Sequence, residues 1–350
     1  MMEVEHRMEK ILFLAHTNAE GALSNAAREV LAAALDLSRK LPDASLEVGL
    51  FGADVASAAD SVASCGATRF LAVSGTEFAD SRYASDAAAI AALVRESGAT
   101  LIVAPTTSRL SRALPGAVQR LQGRIETHVS GMDAADGALR VQRWYYRQRM
   151  VATLTRTQRP WFLAIDSGVF SPWQGEPGKA SLETVAVTLG ENCKRTRVTG
   201  VQAPSVNTRT IRPDADILFV AGAGWSKKQA DGEVHIKDAE GIILDFLQKG
   251  NASLGSTKSL VDMSGEGEAV LSFMSHLNQV GQTGSTPRHP KGLATCCHGE
   301  EPHTVGWRFI NERRAINTDP NCGWAQGKAD VLYVADAFKV MARVNELLAE

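Results

Sequence analysis

A polar segment at residues 278–290, NQVGQTGSTPRHP, groups glycine, hydroxyl and amide residues too densely for a core strand or an ordinary helix. Its centre is formed by Gly281, Gln282, Thr283 and Gly284. Glycine lets backbone N–H groups approach a ligand closely, and hydroxyl and amide side chains add further hydrogen-bonding groups. The segment therefore suits a ligand rich in oxygen atoms, although a single glycine-rich loop is by itself more often a plain turn.

The composition is that of an ordinary globular protein. The chain has 350 residues, 44% hydrophobic and 22% charged, and a length that fits about two domains. A formal net charge of −2 gives no reason to expect a nucleic acid or an anionic membrane as partner. The five cysteines are odd in number and irregularly spaced, which favours a reducing compartment over a disulfide framework. We read no signal peptide in the charged start of the chain, so the expected location is cytoplasmic.

Short apolar runs alternate with amphipathic segments through the first half of the chain. The runs predict strands at Ile11–Ala15, Leu46–Phe51, Phe70–Val73 and Leu101–Ala104. Helical spacing predicts helices over residues 23–41 and 86–96, so a mostly parallel sheet with helices on both faces is expected. Residues 140–187 are instead rich in β-branched and aromatic side chains, which predicts antiparallel strands at the edge of the domain.

A stretch with few large apolar residues, 196–212, divides the chain. We predict that it links an N-terminal, nucleotide-binding-like α/β domain with a mostly parallel sheet, 1–195, to a second domain, 213–350. In the second domain the α/β pattern restarts and predicts a doubly wound parallel sheet. Its predicted elements are a strand at Ile217–Val220, a glycine turn at Gly222–Gly224 and helices over 239–247 and 335–348.

Cysteine and histidine residues of the second half could suggest a metal site. They are Cys296, Cys297, His298, His303 and Cys322. Adjacent cysteines rarely bind one ion, and no paired C-x-x-C motifs accompany them, so we predict buried free thiols and no metal.

The segment 143–159, RWYYRQRMVATLTRTQR, mixes aromatic residues with arginines, as nucleic-acid surfaces do. Alternating strands with a basic solvent face explain the pattern equally well, and no nucleic acid is predicted as a partner. The G-x-S-x-G, H-E-x-x-H and P-loop motifs are absent from the sequence, so readings as a hydrolase or nucleoside triphosphatase lack a motif.

Six motifs follow one another in the second half: LFVAGAGW (Leu218–Trp225), GSTKSLVD (Gly255–Asp262), QVGQTG (Gln279–Gly284), CCHGEEPH (Cys296–His303), AINTDP (Ala315–Pro320) and VADAFKV (Val334–Val340). Their order resembles the FAD domain of the electron transfer flavoprotein alpha subunit family, and QVGQTG is the most specific piece. In the first half, FLAHTNAEGALSNAAREVLAAA and IVAPTTSRLSRALPGAVQRL resemble that family's opening and fourth strand–helix units. The resemblance spans nearly the whole chain.

The resemblance implies that the second domain is an FAD-binding domain. By position, the cofactor-binding residues would be Gly224, Thr257, Lys258, Gly281, Gln282, Thr283, Gly284, His298, Gly299, His303, Asn317 and Asp336. Lys258 would approach the flavin ring, and His303 would bond a flavin carbonyl. Asn317 and Asp336 would lie near the adenosine half.

Members of this family carry electrons more than they catalyse reactions. The resemblance implies a heterodimer with a beta subunit that holds AMP. It also implies that the N-terminal domain contacts this subunit, which favours an interface role for residues 143–159. The electron donor would be a flavin-dependent dehydrogenase of the acyl-CoA or methylated-amine type, and the acceptor a membrane quinone reductase. Two alternatives are a flavin-free structural subunit of a larger dehydrogenase complex and a self-sufficient FAD oxidoreductase. The retained Gln282, Thr283, His303 and Asn317 favour a bound flavin.

The chain departs from the family pattern at several positions, as a divergent member would. Gly224, followed by Trp225, stands where the family has an arginine, and Lys227 and Lys228 could supply positive charge instead. Lys258 also replaces an arginine, which keeps the charge but loses the planar fork of the guanidinium.

Overall fold

The computed structural model divides the chain into two compact units, Met1–Val201 and Gln202–Glu350. It describes residues 8–135, 137–145, 150–200, 211–212, 215–262, 270–281, 287, 289–295 and 310–349. Most of the predicted linker, 196–212, therefore lies outside the described residues. No helix in the described ranges has the length and apolar composition needed to cross a membrane.

A mixed sheet forms the centre of the first unit, with nine strands in its described part. Their order is β7-β6-β5-β8-β4-β1-β2-β3-β9. The pairs β5–β6 and β6–β7 are antiparallel, and the other pairs are parallel. The strands are β1 (Lys10–His16), β2 (Ser45–Gly52), β3 (Arg69–Ser74), β4 (Leu101–Pro105), β5 (Arg124–Ala135), β6 (Ala138–Tyr145), β7 (Met150–Leu154), β8 (Trp161–Ile165) and β9 (Leu182–Thr184).

Helices cover both faces of this sheet, because its central strands are apolar on both sides. The helices are α1 (Asn25–Lys40), α2 (Ala56–Asp60), α3 (Tyr83–Ser97) and α4 (Ser108–Arg120). In β1, Ile11 and Phe13 belong to the core cluster that includes α1, whereas Leu12 and Leu14 belong to the cluster that includes α3 and α4. Burial of a side chain of this size contributes about 1.5–3 kcal/mol, so both faces stabilise the strand. The predicted parallel sheet with two helical layers is confirmed.

The prediction for residues 140–187 was right for the hairpin of β6 and β7 and wrong for β8. Trp161–Ile165 pairs parallel with both β4 and β5, and it lies inside the sheet, not at its edge. All five of its residues are buried. A continuous apolar run is typical of a parallel strand that is covered on both faces, so WFLAI already carried this signal. β9 is also parallel, at the far edge beside β3.

A buried ion pair joins α3 to α4 in the first unit. The Nη2 atom of Arg109 lies 2.7 Å from Oδ1 of Asp86, and its Nε lies 3.0 Å from Oδ2. The same guanidinium donates to the backbone carbonyls of Phe78, Ala79 and Asp80. Burial raises the pKa of Asp86, and the hydrogen bond from Arg109 opposes this rise. The pair therefore fixes both helices and the loop before α3 at once.

The second unit contains a parallel sheet with five strands in the described part of the chain. Their order is β11-β10-β12-β13-β14, and every pair is parallel. The strands are β10 (Ile217–Ala221), β11 (Ala252–Ser256), β12 (Lys291–Thr295), β13 (Glu312–Asn317) and β14 (Val331–Val334). The helices are α5 (Ile236–Lys249), α6 (Lys258–Asp262), α7 (Gly323–Lys328) and α8 (Ala337–Leu347).

Alternate residues of β10 fill two separate cores in this unit. Phe219 lies in the cluster with Ile243 of α5 and Met341 of α8. Leu218 lies in the cluster on the other face, together with Ala325 of α7. A sheet covered by helices on both faces is doubly wound, so the predicted α/β class is confirmed for both units.

We predict that Arg109→Ala lowers the free energy of unfolding by about 3–5 kcal/mol, because the carboxylate of Asp86 would remain buried without its partner. The double replacement Asp86→Leu with Arg109→Met should cost much less, because no charge would then be buried. Urea-induced unfolding of both variants and the wild type measures the difference. Equal losses in the single and double variants would contradict this account of the ion pair.

Candidate functional site

The carboxyl ends of β10 to β14 lie at one edge of the second sheet, because all five strands are parallel. The strand order reverses direction at β10, whose neighbours are β11 on one side and β12 on the other. Open α/β sheets bind ligands outside the carboxyl ends of the strands at such a reversal, where the two adjoining loops diverge. This edge, which we call the switch-point edge, is the candidate site.

Six of the twelve predicted site residues are described, and all six belong to loops or strand ends at the switch-point edge. Gly224 follows β10, Thr257 and Lys258 follow β11, Asn317 ends β13, and Asp336 follows β14. Gly281 joins them because Val280 donates its N–H to the carbonyl of Ser256 at the end of β11, at 3.0 Å. The other six, Gln282, Thr283, Gly284, His298, Gly299 and His303, lie outside the described residues.

Gly281 has a backbone conformation that favours glycine. Its φ is 134°, in a region that residues with a side chain rarely adopt. The preceding Gln279 forms a parallel bridge with Ser256, so the start of the QVGQTG motif runs beside β11. The motif is therefore tied to the switch-point edge by backbone pairing up to the point where the described residues end.

Thr257 begins the short helix α6 directly after β11. Its hydroxyl accepts a hydrogen bond from the N–H of Leu260 at 3.4 Å, and its own N–H donates to the carbonyl of Ala221 at 2.9 Å. The side chain is buried. These bonds attach the loop after β11 to the end of β10, which sets the position of Lys258, the next residue.

The ammonium group of Lys258 is held by an acidic neighbour one turn along α6. Its Nζ lies 3.5 Å from Oδ2 of Asp262, and 53% of its side chain is exposed. Oδ1 of Asp262 also lies 3.0 Å from Nε2 of His276. The hydrogen bond with His276 lowers the pKa of Asp262, and the charge of Lys258 acts in the same direction. Lys258 thus lies at the switch-point edge, and about half of its side chain is exposed to solvent.

Asn317 and Asp336 each support the local fold. The Oδ1 atom of Asn317 accepts from the N–H of Asp319 at 3.0 Å, and its backbone carbonyl accepts from Ala335 at 3.1 Å. Asp336 is the N-cap of α8, because its Oδ1 accepts from the N–H of Phe338 at 2.9 Å. Both residues therefore have a structural role at this edge besides the predicted contact with a ligand.

Gly224 lies in a buried turn that follows β10. The turn, Ala223–Ser226, is a single 3-10 helix. The carbonyl of Gly224 accepts from Nε2 of Gln229 at 2.9 Å. Next along the chain, Lys227 and Lys228 are exposed, and neither makes an ion pair with a described residue.

The positive charges at this edge fit a ligand that carries phosphate groups. Lys227 and Lys228 follow β10, and Lys258 follows the adjacent β11. Lysine ammonium groups bind phosphate as compact charges, and two of these three have no acidic partner in the described part of the chain. The described donors thus suit the pyrophosphate-bearing ligand that the sequence predicted.

The sequence did not single out Asp262 and His276 as functional residues. The spacing from Lys258 to Asp262 is that of a helical ion pair and could have indicated the first contact. His276 gave no such signal, because its contact with Asp262 depends on the path of the chain after α6.

Within the described residues no group of histidine, cysteine, aspartate and glutamate could hold a metal ion. Of the cysteines in question, Cys322 is described and is buried, and the others lie outside the described residues.

Comparison with models of known families matches residues 11–190 to the electron transfer flavoprotein domain. The matched range is just over half of the chain and lies within the first unit. No curated protein matches this sequence.

We predict that Asp336→Ala lowers the free energy of unfolding by about 1 kcal/mol, because α8 loses its N-cap. Asp336→Asn should retain most of the stability, since asparagine caps helices as well as aspartate does. Thermal or urea-induced unfolding compares the two variants. An Asp336→Ala protein as stable as the wild type would show that this cap contributes nothing.

Proposed function

Because this chain belongs to the electron transfer flavoprotein family, we propose that it is the FAD-binding alpha subunit of a heterodimeric electron carrier. Proteins of this family bind flavin. The observation that supports FAD in this chain is that predicted site residues at or after the ends of β10, β11, β13 and β14 all lie at one edge of the sheet. Those residues were predicted from sequence motifs far apart along the chain, and parallel pairing places them at one edge of one sheet.

Bound FAD would supply a ring that accepts and returns electrons, and the protein would hold it and adjust its potential. Lys227 and Lys228 would neutralise the pyrophosphate, since both are exposed without an acidic partner among the described residues. Thr257 fixes the loop that carries Lys258 through its bonds to Leu260 and Ala221. These residues bind and orient the cofactor in the proposed function.

Lys258 is the residue that we expect to tune the flavin. About half of its side chain is exposed, and its carboxylate partner, Asp262, also contacts His276. The charge of Lys258 is therefore not neutralised within a buried ion pair. A cation near a group that gains negative charge favours the charged form. Lys258 should therefore make the flavin easier to reduce.

The proposed assembly follows the family pattern. The partner is a beta subunit that holds AMP, the donor is a flavin-dependent dehydrogenase of the acyl-CoA or methylated-amine type, and the acceptor is a membrane quinone reductase. We place this exchange in the cytoplasm, since Cys65 and Cys193 are free thiols, which a reducing compartment favours.

We expect the chain, co-expressed with its beta subunit, to purify as a yellow complex with about one FAD for each heterodimer. The absorbance spectrum, together with mass analysis of the cofactor released by acid, measures this ratio. The beta subunit expressed alone is the control, and it should release no FAD. A colourless complex that releases no flavin would refute the proposed function.

We expect Lys258→Ala to lower the midpoint potential of the bound flavin, because a positive charge near the ring is removed. Lys258→Arg keeps the charge and should lower it much less. Lys249→Ala is a matched control, because Lys249 also pairs with an aspartate four residues away, Asp245. Lys249 ends α5, just before the start of β11, and so lies away from the carboxyl ends of the strands. Spectroelectrochemical titration measures all three. An unchanged or raised potential in Lys258→Ala would count against the role of this residue.

A further inference from the structure

The segment after β10, residues 222–229, is bonded to the neighbouring strand on the far side of the switch point. The N–H of Gly222 donates to the carbonyl of Thr295, the last residue of β12, at 2.8 Å. The indole Nε1 of Trp225 donates to the hydroxyl of the same threonine, also at 2.8 Å. We call this segment the β10 turn. The β10 turn therefore connects the carboxyl ends of β10 and β12, the two strands between which the switch point lies.

Both side chains of this contact are fully buried. Trp225 and Thr295 are 0% exposed. The hydroxyl of Thr295 also lies 3.2 Å from the carbonyl of Val220 and donates to it, so one of its lone pairs accepts from the indole. If one partner of a buried hydrogen bond is removed, the other partner stays buried without a hydrogen bond, which costs free energy. Such a contact therefore stabilises one arrangement of the chain and disfavours others.

The ring of Trp225 packs into the core beneath the turn. Its centroid lies 4.5 Å from the ring of Phe338 on α8 and 6.4 Å from that of Phe219 on β10. A phenylalanine could supply this aromatic contact. It could not donate to Thr295, so the indole N–H is the feature that the strand-to-strand contact requires.

The same turn carries the two lysines without acidic partners. The Nε2 atom of Gln229 donates to the carbonyls of Gly224 and Lys227, at 2.9 Å and 2.6 Å. These two bonds fix the part of the β10 turn that bears Lys227 and Lys228 to the part that contains Trp225. Two cations on an anchored backbone favour an anionic ligand, because their mutual repulsion is relieved when it binds.

We propose that Trp225 is a positioning residue: through its hydrogen bond to Thr295 it holds Lys227 and Lys228 at the switch point, where they bind the pyrophosphate of the ligand. The proposal rests on FAD binding by this chain, and it gives Trp225 and Thr295 a role that the sequence motifs did not assign. Trp225 contacts no ligand itself. Its effect passes through the backbone of the β10 turn to the lysines.

The test measures FAD affinity in the complete heterodimer by fluorescence titration after the flavin has been removed. The variants are Trp225→Phe, the lysine pair Lys227→Gln with Lys228→Gln, and the three changes combined. Trp225→Phe should weaken binding by about fivefold to tenfold, the effect of one lost hydrogen bond. When both lysines have already been replaced, adding Trp225→Phe should not weaken FAD binding further. The unfolding midpoint of each protein is recorded in parallel.

Thr295 tests the same contact from the other side. Thr295→Val should weaken FAD binding as Trp225→Phe does, because valine has no hydroxyl to accept the hydrogen bond of the indole. Thr295→Ser keeps the hydroxyl and should bind FAD as the wild type does. The test therefore remains decisive if one variant does not fold. Unchanged affinity in both Trp225→Phe and Thr295→Val overturns the proposal. An equal loss with and without the lysines also overturns it, because the tryptophan would then act on the fold alone. A wild-type heterodimer that binds no FAD overturns the proposed function and this proposal together.

Discussion

Parallel pairing of β10 to β14 is the constraint on which the candidate site depends. Loops that follow parallel strands leave the sheet at the same edge, so Gly224, Thr257 and Asn317 lie there although they follow or end three different strands. The strand order reverses at β10, and open α/β sheets generally bind ligands at such a reversal. The contact of Trp225 with Thr295 crosses this reversal, so the ends of β10 and β12 are joined by a buried side-chain hydrogen bond at the candidate site.

Much of the fold could be predicted because it depends on local apolar runs. Ile11–Ala15 and Ile217–Val220 are short apolar runs, and each lies in a largely buried strand. Trp161–Ile165 has the same character, yet its place inside the sheet was missed, because a run shows burial and not which strands it pairs with. The described motif residues lie at the switch-point edge, and their role in binding a ligand stays a prediction. The motifs could not show that Trp225 bonds Thr295, since these residues are 70 positions apart and meet only in the folded chain.

Positive charge has different roles in the two units. In the first unit the buried carboxylate of Glu126 is paired with Arg143 and Arg156, from the segment whose composition resembled a nucleic-acid surface. Those arginines hold the β6–β7 hairpin on the sheet, as buried ion pairs do when both partners remain. In the second unit Lys227 and Lys228 have no such partner among the described residues. Charge that is satisfied within the fold stabilises structure, whereas charge left open at a strand end is available to a ligand.

The place of β8 has a consequence for synthesis of the chain. β8 separates β4, which ends at Pro105, from β5, which begins at Arg124, although it is itself made only at residues 161–165. A nascent chain that has left the ribosome as far as the β6–β7 hairpin therefore holds two groups of strands without the strand that lies between them. The edge strand of the first group, β4, is a run of apolar residues that stays open until β8 pairs with it, and such edges invite pairing with other chains. Completion of the first unit thus depends on its late central strand.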